Sequence, residues 1–143
     1  MTHGIDTGFL VALEAAEHPG HQSARLMSQQ FRAAGDRFGL APQVLAEFIH
    51  IVTDPKRFTQ PLDMDTALSR AELWWESPEV AQLSPAAPTV RNFFEWMRLH
   101  HLGRKRILDT LLAATFREAG IQSILTTNAR DFTVLGGFTC IVP

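Results

Sequence analysis

The feature that most restricts the fold of this chain is an alternation between short apolar runs and longer segments of helical period. The short runs are rich in β-branched and aromatic residues and have the length of buried strands. They lie at residues 2–6, 38–41, 80–83, 121–126 and 138–142. Strands that alternate with helices in this way predict an α/β layer fold with a central, mainly parallel sheet.

Turn-forming residues between the strands mark the ends of the predicted helices. Pro42 suits the first turn of a helix, Asp63 suits an N-terminal cap, and Gly120 is a good C-terminal stop. The predicted helices cover residues 7–17, 21–34, 42–52, 64–75, 90–101 and 107–119. The aromatic residues of the fifth helix are expected to face the core or a second copy of the chain.

Length and composition exclude several classes of protein. At 143 residues, with 45% hydrophobic and 20% charged residues, the chain is expected to form a single domain over residues 1–143. The net charge of −2 provides no general attraction to nucleic acid, so a polyanion would need a local basic patch. The single cysteine, Cys140, rules out an internal disulfide, and no signal peptide or membrane span is recognisable. We therefore expect a cytoplasmic protein.

Acidic and amide side chains follow the ends of several predicted strands. Asp6 ends the first strand, and Asn128 and Asp131 follow the strand at 121–126. Glu47 and Asp109 lie near the beginnings of their helices. In an open α/β sheet the turns at the carboxyl ends of the strands converge, so these groups are expected to lie on one rim. Carboxylates brought together repel one another unless a divalent cation lies among them, and this indicates a magnesium site.

Structural interpretations of the same residues remain open. A single Asp at a strand end is commonly a turn residue or a helix cap, and Asp109 and Asp131 both fit the second role. The densest basic run precedes Asp109, where it is either a solvated loop or a set of phosphate contacts. The candidate phosphate contacts are Arg104, Lys105, Arg106 and, more weakly, Arg130.

The chain lacks the motifs that other enzyme classes require. The two histidine pairs, at positions 18 and 21 and at 100 and 101, have no second half that would complete a zinc site. A haloacid-dehalogenase-type phosphatase needs a second Asp two residues after the first, where this chain has Gly8. Neither a dinucleotide-binding glycine-rich turn nor a Gly-x-Ser-x-Gly nucleophile elbow occurs.

Four short motifs, in order, resemble the PIN-domain family. They are Ile-Asp-Thr at the start, Ala-Glu-Phe in the middle, Asp-x-Leu-x-Ala-Ala in a late helix, and a closing Leu-Thr-Thr-Asn-x-x-Asp-Phe. The resemblance covers essentially the whole chain. Within the family the chain is similar to the toxin ribonucleases of VapBC toxin–antitoxin pairs. The resemblance implies a three-layer α/β/α PIN-like fold.

The resemblance also implies a metal-dependent endoribonuclease. Asp6, Glu47 and Asp109 match the family's three acidic ligands of Mg²⁺, for which Mn²⁺ would be a substitute. Asn128 matches the fourth position, and Asp131 is the acid of the closing motif. Thr7 and Thr127 are expected to orient a ligand or water by hydrogen bonds.

Two residues depart from the family pattern and leave an alternative open. The family commonly has Asn where this chain has Gly8, and Asn128 replaces a charge with a neutral oxygen, which would weaken a second metal site. The alternative is a PIN-like module that binds RNA or protein without catalysis. The partners implied by the resemblance are an RNA substrate, a small antitoxin that covers the acidic site, and a second copy of the chain.

Overall fold

The computed structural model describes residues 1–143, and its centre is a five-stranded, wholly parallel sheet. The strands are β1 (Thr2–Ile5), β2 (Arg37–Leu40), β3 (Val80–Gln82), β4 (Ser123–Leu125) and β5 (Thr139–Ile141). Their order across the sheet is β3-β2-β1-β4-β5. All five predicted strands are present, each within about two residues of its predicted ends.

Seven α-helices connect the strands. They are α1 (Thr7–Glu14), α2 (His21–Ala33), α3 (Pro42–Val52), α4 (Met64–Trp75), α5 (Ala87–Leu99), α6 (Ile107–Glu118) and α7 (Arg130–Thr133). No helix combines the length and apolar character that crossing a membrane requires. The six predicted helices are confirmed, but the short α7 and a 3-10 helix at Arg104–Arg106 were not predicted.

The helices form two layers because the order in which strands are added to the sheet changes after β3. From β1 to β2 to β3 the chain moves towards one edge, and it then returns past β1 to β4 and β5. Since crossovers between parallel strands are right-handed, this reversal puts α1–α4 on one face and α5–α7 on the other. In the first group α1 packs against α2 and α3, and α3 packs against α4; in the second, α6 packs against α5 and α7. The predicted three-layer α/β/α architecture is confirmed.

Two corrections to helix ends have simple causes. Helix α5 begins at Ala87 rather than Val90, because the Thr89 hydroxyl accepts a hydrogen bond from the Ala86 N–H at 3.0 Å. Pro88 then lies in the first turn, where its missing N–H costs nothing. Helix α1 ends at Glu14 instead of residue 17, since the backbone leaves the helical region at Ala15.

The core packs closely where β1 crosses the helix layer behind it. The ring of Phe116, on α6, is fully buried against Gly4, and a Cβ at position 4 would lie 2.7 Å from that ring. Glycine in the middle of a strand is therefore explained by close packing. This contact fixes α6, and with it Asp109, at a short distance from the first strand.

A buried polar chain closes the amino-terminal edge of the sheet. Nδ1 of His3 lies 2.8 Å from the Ser123 hydroxyl, and Nε2 lies 3.2 Å from Asp36. Asp36 also accepts a hydrogen bond from the N-terminal amine at 3.0 Å. Because every polar atom of the buried imidazole has a partner, a histidine is tolerated in this central strand.

Candidate active site

Asp6 lies at the carboxyl end of β1 and caps the helix that follows. Its Oδ1 accepts a hydrogen bond of 2.8 Å from the Phe9 N–H, the usual bond of an acidic N-cap. The side chain is only 6% exposed. Burial raises the pKa of Asp6 to about 6, against the opposing effect of its hydrogen bonds; the charges of Asp131 and Glu47 raise it further.

Thr126 is the functional residue that sequence reasoning missed. The pairing of Ile5 with Leu125 continues for one residue beyond both strands, so Asp6 and Thr126 lie side by side. The buried Thr126 hydroxyl donates to Oδ2 of Asp6 and accepts a hydrogen bond of 2.9 Å from the Asn128 N–H. It therefore holds both the first acid and the loop after β4. Its position beside Asp6 depends on the register of β1 with β4. The sequence does not give this register, so Thr126 could not be predicted as a site residue.

Glu47 and Asp109 approach the first acid from opposite helix layers. Glu47 lies on α3, about one turn beyond Gln43, whose side-chain N–H donates to the carbonyl of Leu108 at 2.9 Å. This bond ties the first turn of α3 to the first turn of α6, next to Asp109. Partial burial raises the pKa of Glu47, and the nearby Thr7 hydroxyl partly opposes this effect.

Asp109 carries the largest electrostatic perturbation of the site. Its pKa is raised to about 7, first by burial and then by the charge of Asp131 and a hydrogen bond with that side chain. The charges of Asp6 and Glu47 raise it further. Protonation of Asp109 near neutral pH therefore relieves the repulsion among the acids, because it removes one of the neighbouring negative charges.

Asp131 is held by a cation from the unpredicted 3-10 helix. Nη1 of Arg106 lies 2.8 Å from Oδ1 of Asp131 and 3.2 Å from the carbonyl oxygen of Arg130. The predicted phosphate contact at Arg106 is therefore already paired with an acid of the cluster. Arg104 and Lys105 are exposed, which agrees equally with a solvated loop and with phosphate contacts. Neither Asp109 nor Asp131 is the N-cap of its helix; those positions are Arg106 and Ala129.

Asn128 and Thr127 lie on the exposed loop after β4. The Asn128 N–H donates to the Thr126 hydroxyl, its carbonyl oxygen accepts a hydrogen bond of 3.3 Å from the Asp131 N–H, and its side chain is exposed. Thr127 is exposed as well, and a side chain at position 8 would collide with its hydroxyl. Gly8 therefore leaves the room that Thr127 occupies, which gives a structural reason for the departure from the family pattern.

Cys140 lies on the β5 side of the cluster. Burial raises the pKa of its thiol, and the charge of Asp6 adds to the effect. Its sulfur lies 3.9 Å from the carbonyl oxygen of Ala129. The thiol is uncharged and is not a further metal ligand, since a thiol is a poor partner for hard cations.

The donor atoms of the cluster suit a hard divalent cation. Asp6, Glu47, Asp109 and Asp131 offer only carboxylate oxygens, the ligand type that Mg²⁺ prefers. They are close enough for each charge to affect its neighbours' pKa values. No three His, Cys, Asp or Glu side chains are arranged to ligate one ion directly. Both oxygens of Asp6 accept hydrogen bonds, and Oδ1 of Asp131 is paired with Arg106, so these oxygens are not free to ligate a cation in this arrangement.

The arrangement matches known proteins of one family. The PIN domain family matches residues 5–137. Ribonuclease VapC24 of Mycobacterium tuberculosis is 25% identical over 132 residues, which cover 92% of this chain and 90% of that protein. The structure of M. tuberculosis VapC20, a sarcin–ricin loop cleaving toxin, superposes with a TM-score of 0.73 at 20% identity and 97% coverage of both chains. VapBC2 from Rickettsia felis, bound to a promoter DNA fragment, gives a TM-score of 0.72 at 14% identity, with 100% of this chain and 99% of that one covered. With its fold, its rim of acids and the family match over most of its length, the chain belongs to the PIN-domain family.

Proposed function

We propose that this protein is a magnesium-dependent endoribonuclease that hydrolyses RNA phosphodiester bonds, the toxin component of a toxin–antitoxin pair in the cytoplasm. The observation that carries the proposal is the meeting of four carboxyl groups at one edge of the sheet, where burial and mutual repulsion raise two pKa values to about 6 and 7. Such a cluster is unfavourable without a compensating charge. The names of the relatives, ribonuclease and toxin, give further support.

Asp6, Glu47 and Asp109 would hold the cation, with Asp131 and Asn128 beside them. Bound Mg²⁺ would supply Lewis-acid stabilisation of the phosphate and a lower pKa for the attacking water. Thr126 keeps one oxygen of Asp6 in a fixed direction by donating its hydroxyl hydrogen. Arg106 fixes Asp131, and Asp109, whose pKa is raised to about 7, must lose its proton before it can act as a ligand.

RNA would approach along the exposed basic residues around the site. Arg104 and Lys105, together with Arg130 on α7, are exposed cations near the acids. With a net charge of −2 the chain has no other general attraction for a polyanion, so these positions would supply the phosphate contacts. Thr7 and Thr127 would orient substrate or water by their hydroxyl groups.

Two protein partners complete the proposal. A small antitoxin would cover the acid cluster with a basic side chain and so compete with the cation and with RNA. A second copy of the chain would bind the apolar surface of α5 and α6. Five large hydrophobic side chains there are between 38% and 69% exposed: Val90, Phe94, Leu99, Ile107 and Leu108. Exposed apolar groups in such numbers on two packed helices are typical of an interface.

The test is cleavage of total cellular RNA by the purified chain in Mg²⁺ or Mn²⁺, with and without EDTA. Asp109→Asn is the active-site variant, and Asp63→Asn is the matched control, because Asp63 is an exposed cap of α4 outside the site. We expect discrete, EDTA-sensitive cleavage by the wild type and the control, and none by Asp109→Asn. Equal cleavage by both variants would refute the assigned site. No cleavage and no binding of either ion by calorimetry would favour the non-catalytic RNA- or protein-binding module.

A further inference from the structure

A cavity of about 490 Å³ opens beside Thr127, and its other wall residues have no role in the chemistry described above. This volume lies within the range of about 300–1,000 Å³ typical of small-ligand sites. Its wall combines apolar and polar groups, chiefly Val11, His18, Ile51, Arg57, Phe58 and Thr127.

The cavity reaches the residues that lie beside Asp6. Gly8 and Thr127 belong to its wall, and a Cβ at position 8 would lie 3.6 Å from Oδ1 of Asp6. The Thr127 hydroxyl takes up the space beside Gly8, so this part of the wall is thin and polar. A ligand in the cavity would therefore lie next to a phosphate bound at the carboxylates.

His18 presents a neutral hydrogen-bond donor. Its Nδ1 accepts a hydrogen bond of 2.9 Å from the Gly20 N–H, so the proton of the neutral ring lies on Nε2. Burial and the neighbouring His21 lower the pKa of His18, which favours the neutral ring. A neutral N–H with a fixed tautomer suits recognition of an uncharged acceptor atom.

The loop that carries Arg57 and Phe58 is held in place by Glu17, another residue of the cavity wall. The carboxylate of Glu17 accepts hydrogen bonds from the backbone N–H groups of Thr59 and Gln60 at 2.8 and 2.9 Å. The Arg57 side chain is 61% exposed, and its ion pair with Asp54 is long, at 3.7 Å. The loop backbone positions the guanidinium group, but its ion pair with Asp54 is weak, so the group is available to bind a phosphate.

We propose that this cavity binds the nucleotide next to the scissile phosphate of a single-stranded RNA and so sets the base preference of cleavage. The inference rests on the proposed nuclease function. The base lies against the apolar wall of Val11, Ile51 and Phe58, the Nε2–H of His18 donates to an acceptor on the base edge, and Arg57 contacts the flanking phosphate. Single-stranded RNA suits this arrangement because its bases are free to leave the stack.

The first experiment measures binding of a short single-stranded RNA in the Asp109→Asn background. Arg57→Gln is compared with Lys56→Gln, a change in the adjacent basic residue, which does not line the cavity. We expect Arg57→Gln to weaken binding by about tenfold, with a reduced dependence on salt, and Lys56→Gln by less than about twofold. Equal effects of the two variants would overturn the role of Arg57.

The second experiment separates the base contact from the phosphate contact. His18→Asn keeps an acceptor near the Gly20 N–H but removes the distal donor, whereas His18→Gln restores an amide donor near the position of Nε2. In the otherwise wild-type enzyme, we expect His18→Asn to relax the base preference next to the cleavage point and His18→Gln to retain more of it. An RNA that is abasic at this nucleotide should bind the wild type about tenfold more weakly and remove the difference between wild type and His18→Asn.

The outcomes separate this inference from the nuclease proposal. If the wild type cleaves but the cavity variants keep its base preference and its affinity, the cavity is not the nucleotide site and the nuclease proposal stands. If the wild type binds RNA but cleaves none in either ion, the nuclease proposal fails. The binding comparisons then still decide whether the cavity holds a nucleotide.

Discussion

Replacing Asp109 with Asn is expected to stabilise the metal-free protein at pH 8 while it abolishes cleavage. In the folded protein the pKa of this carboxyl is raised from an ordinary value of 3.8 to about 7, so folding favours the protonated form. The associated stability is fully present below about pH 4 and is lost as the pH rises through about 7. Asn does not ionise, and its amide can still donate a hydrogen bond to Asp131.

The magnitude follows from the size of the pKa change. A rise of about three units corresponds to an upper limit of about 4 kcal/mol in the free energy of unfolding. Asp109 is only partly buried, and solvent screens its interaction with the other acids. We therefore expect the variant to gain about 1–2 kcal/mol at pH 8, which corresponds to a few degrees in Tm for a chain of this size.

The assay is urea unfolding of both proteins in EDTA at several values between pH 4.5 and 8. The difference in unfolding free energy should be small at pH 4.5 and should grow towards pH 8. Saturating Mg²⁺ at pH 8 should reduce or reverse it, because a ligand that binds only the folded wild type stabilises that protein alone.

Asp63→Asn provides a control of opposite sign. Asp63 accepts a hydrogen bond of 2.7 Å from the Thr66 N–H, and this bond lowers its pKa. Its contribution is therefore present above its ordinary pKa and is lost as the pH falls, so its removal should bring no gain at pH 8. An Asp109→Asn protein that is no more stable than the wild type at pH 8 in EDTA would refute the proposed electrostatic conflict.

Three further results are expected from the same geometry. Thr126→Val should raise the pKa of Asp6 and move the acidic limb of the pH–rate profile to higher pH, while Thr126→Ser should retain the wild-type profile. Identical profiles for Thr126→Val and the wild type would contradict this. Gln43→Ala should lower kcat by about tenfold by loosening α3 from α6, whereas Gln82→Ala, which removes a comparable bond to the Trp75 carbonyl outside the site, should not. Binding of Mg²⁺ at pH 6.5 should release protons, largely from Asp109, and calorimetry in buffers of different ionisation enthalpy should detect them. Heats independent of the buffer would count against the raised pKa of Asp109.

The sequence predicted most of the helices and strands because the residues that begin and end them act on their nearest neighbours in the chain. Pro42 begins α3 and Asp63 caps α4 as predicted, since a fixed φ and an N-cap carboxylate act within one turn. Helix α7 and the 3-10 helix were missed because each is only three or four residues long and has no full period of apolar residues. The ion pair between Arg106 and Asp131 links these two short elements.

The sequence by itself determined the α/β class, the order of elements and the set of candidate acids, since each depends on residue type and spacing along the chain. Only the tertiary structure decided that Thr126 lies beside Asp6, that Arg106 pairs with Asp131, and that Gly8 and Thr127 line a cavity near Asp6. Thr126 is 120 residues from Asp6, and Arg106 is 25 from Asp131. Contacts over such separations depend on strand register and helix packing, to which the whole chain contributes.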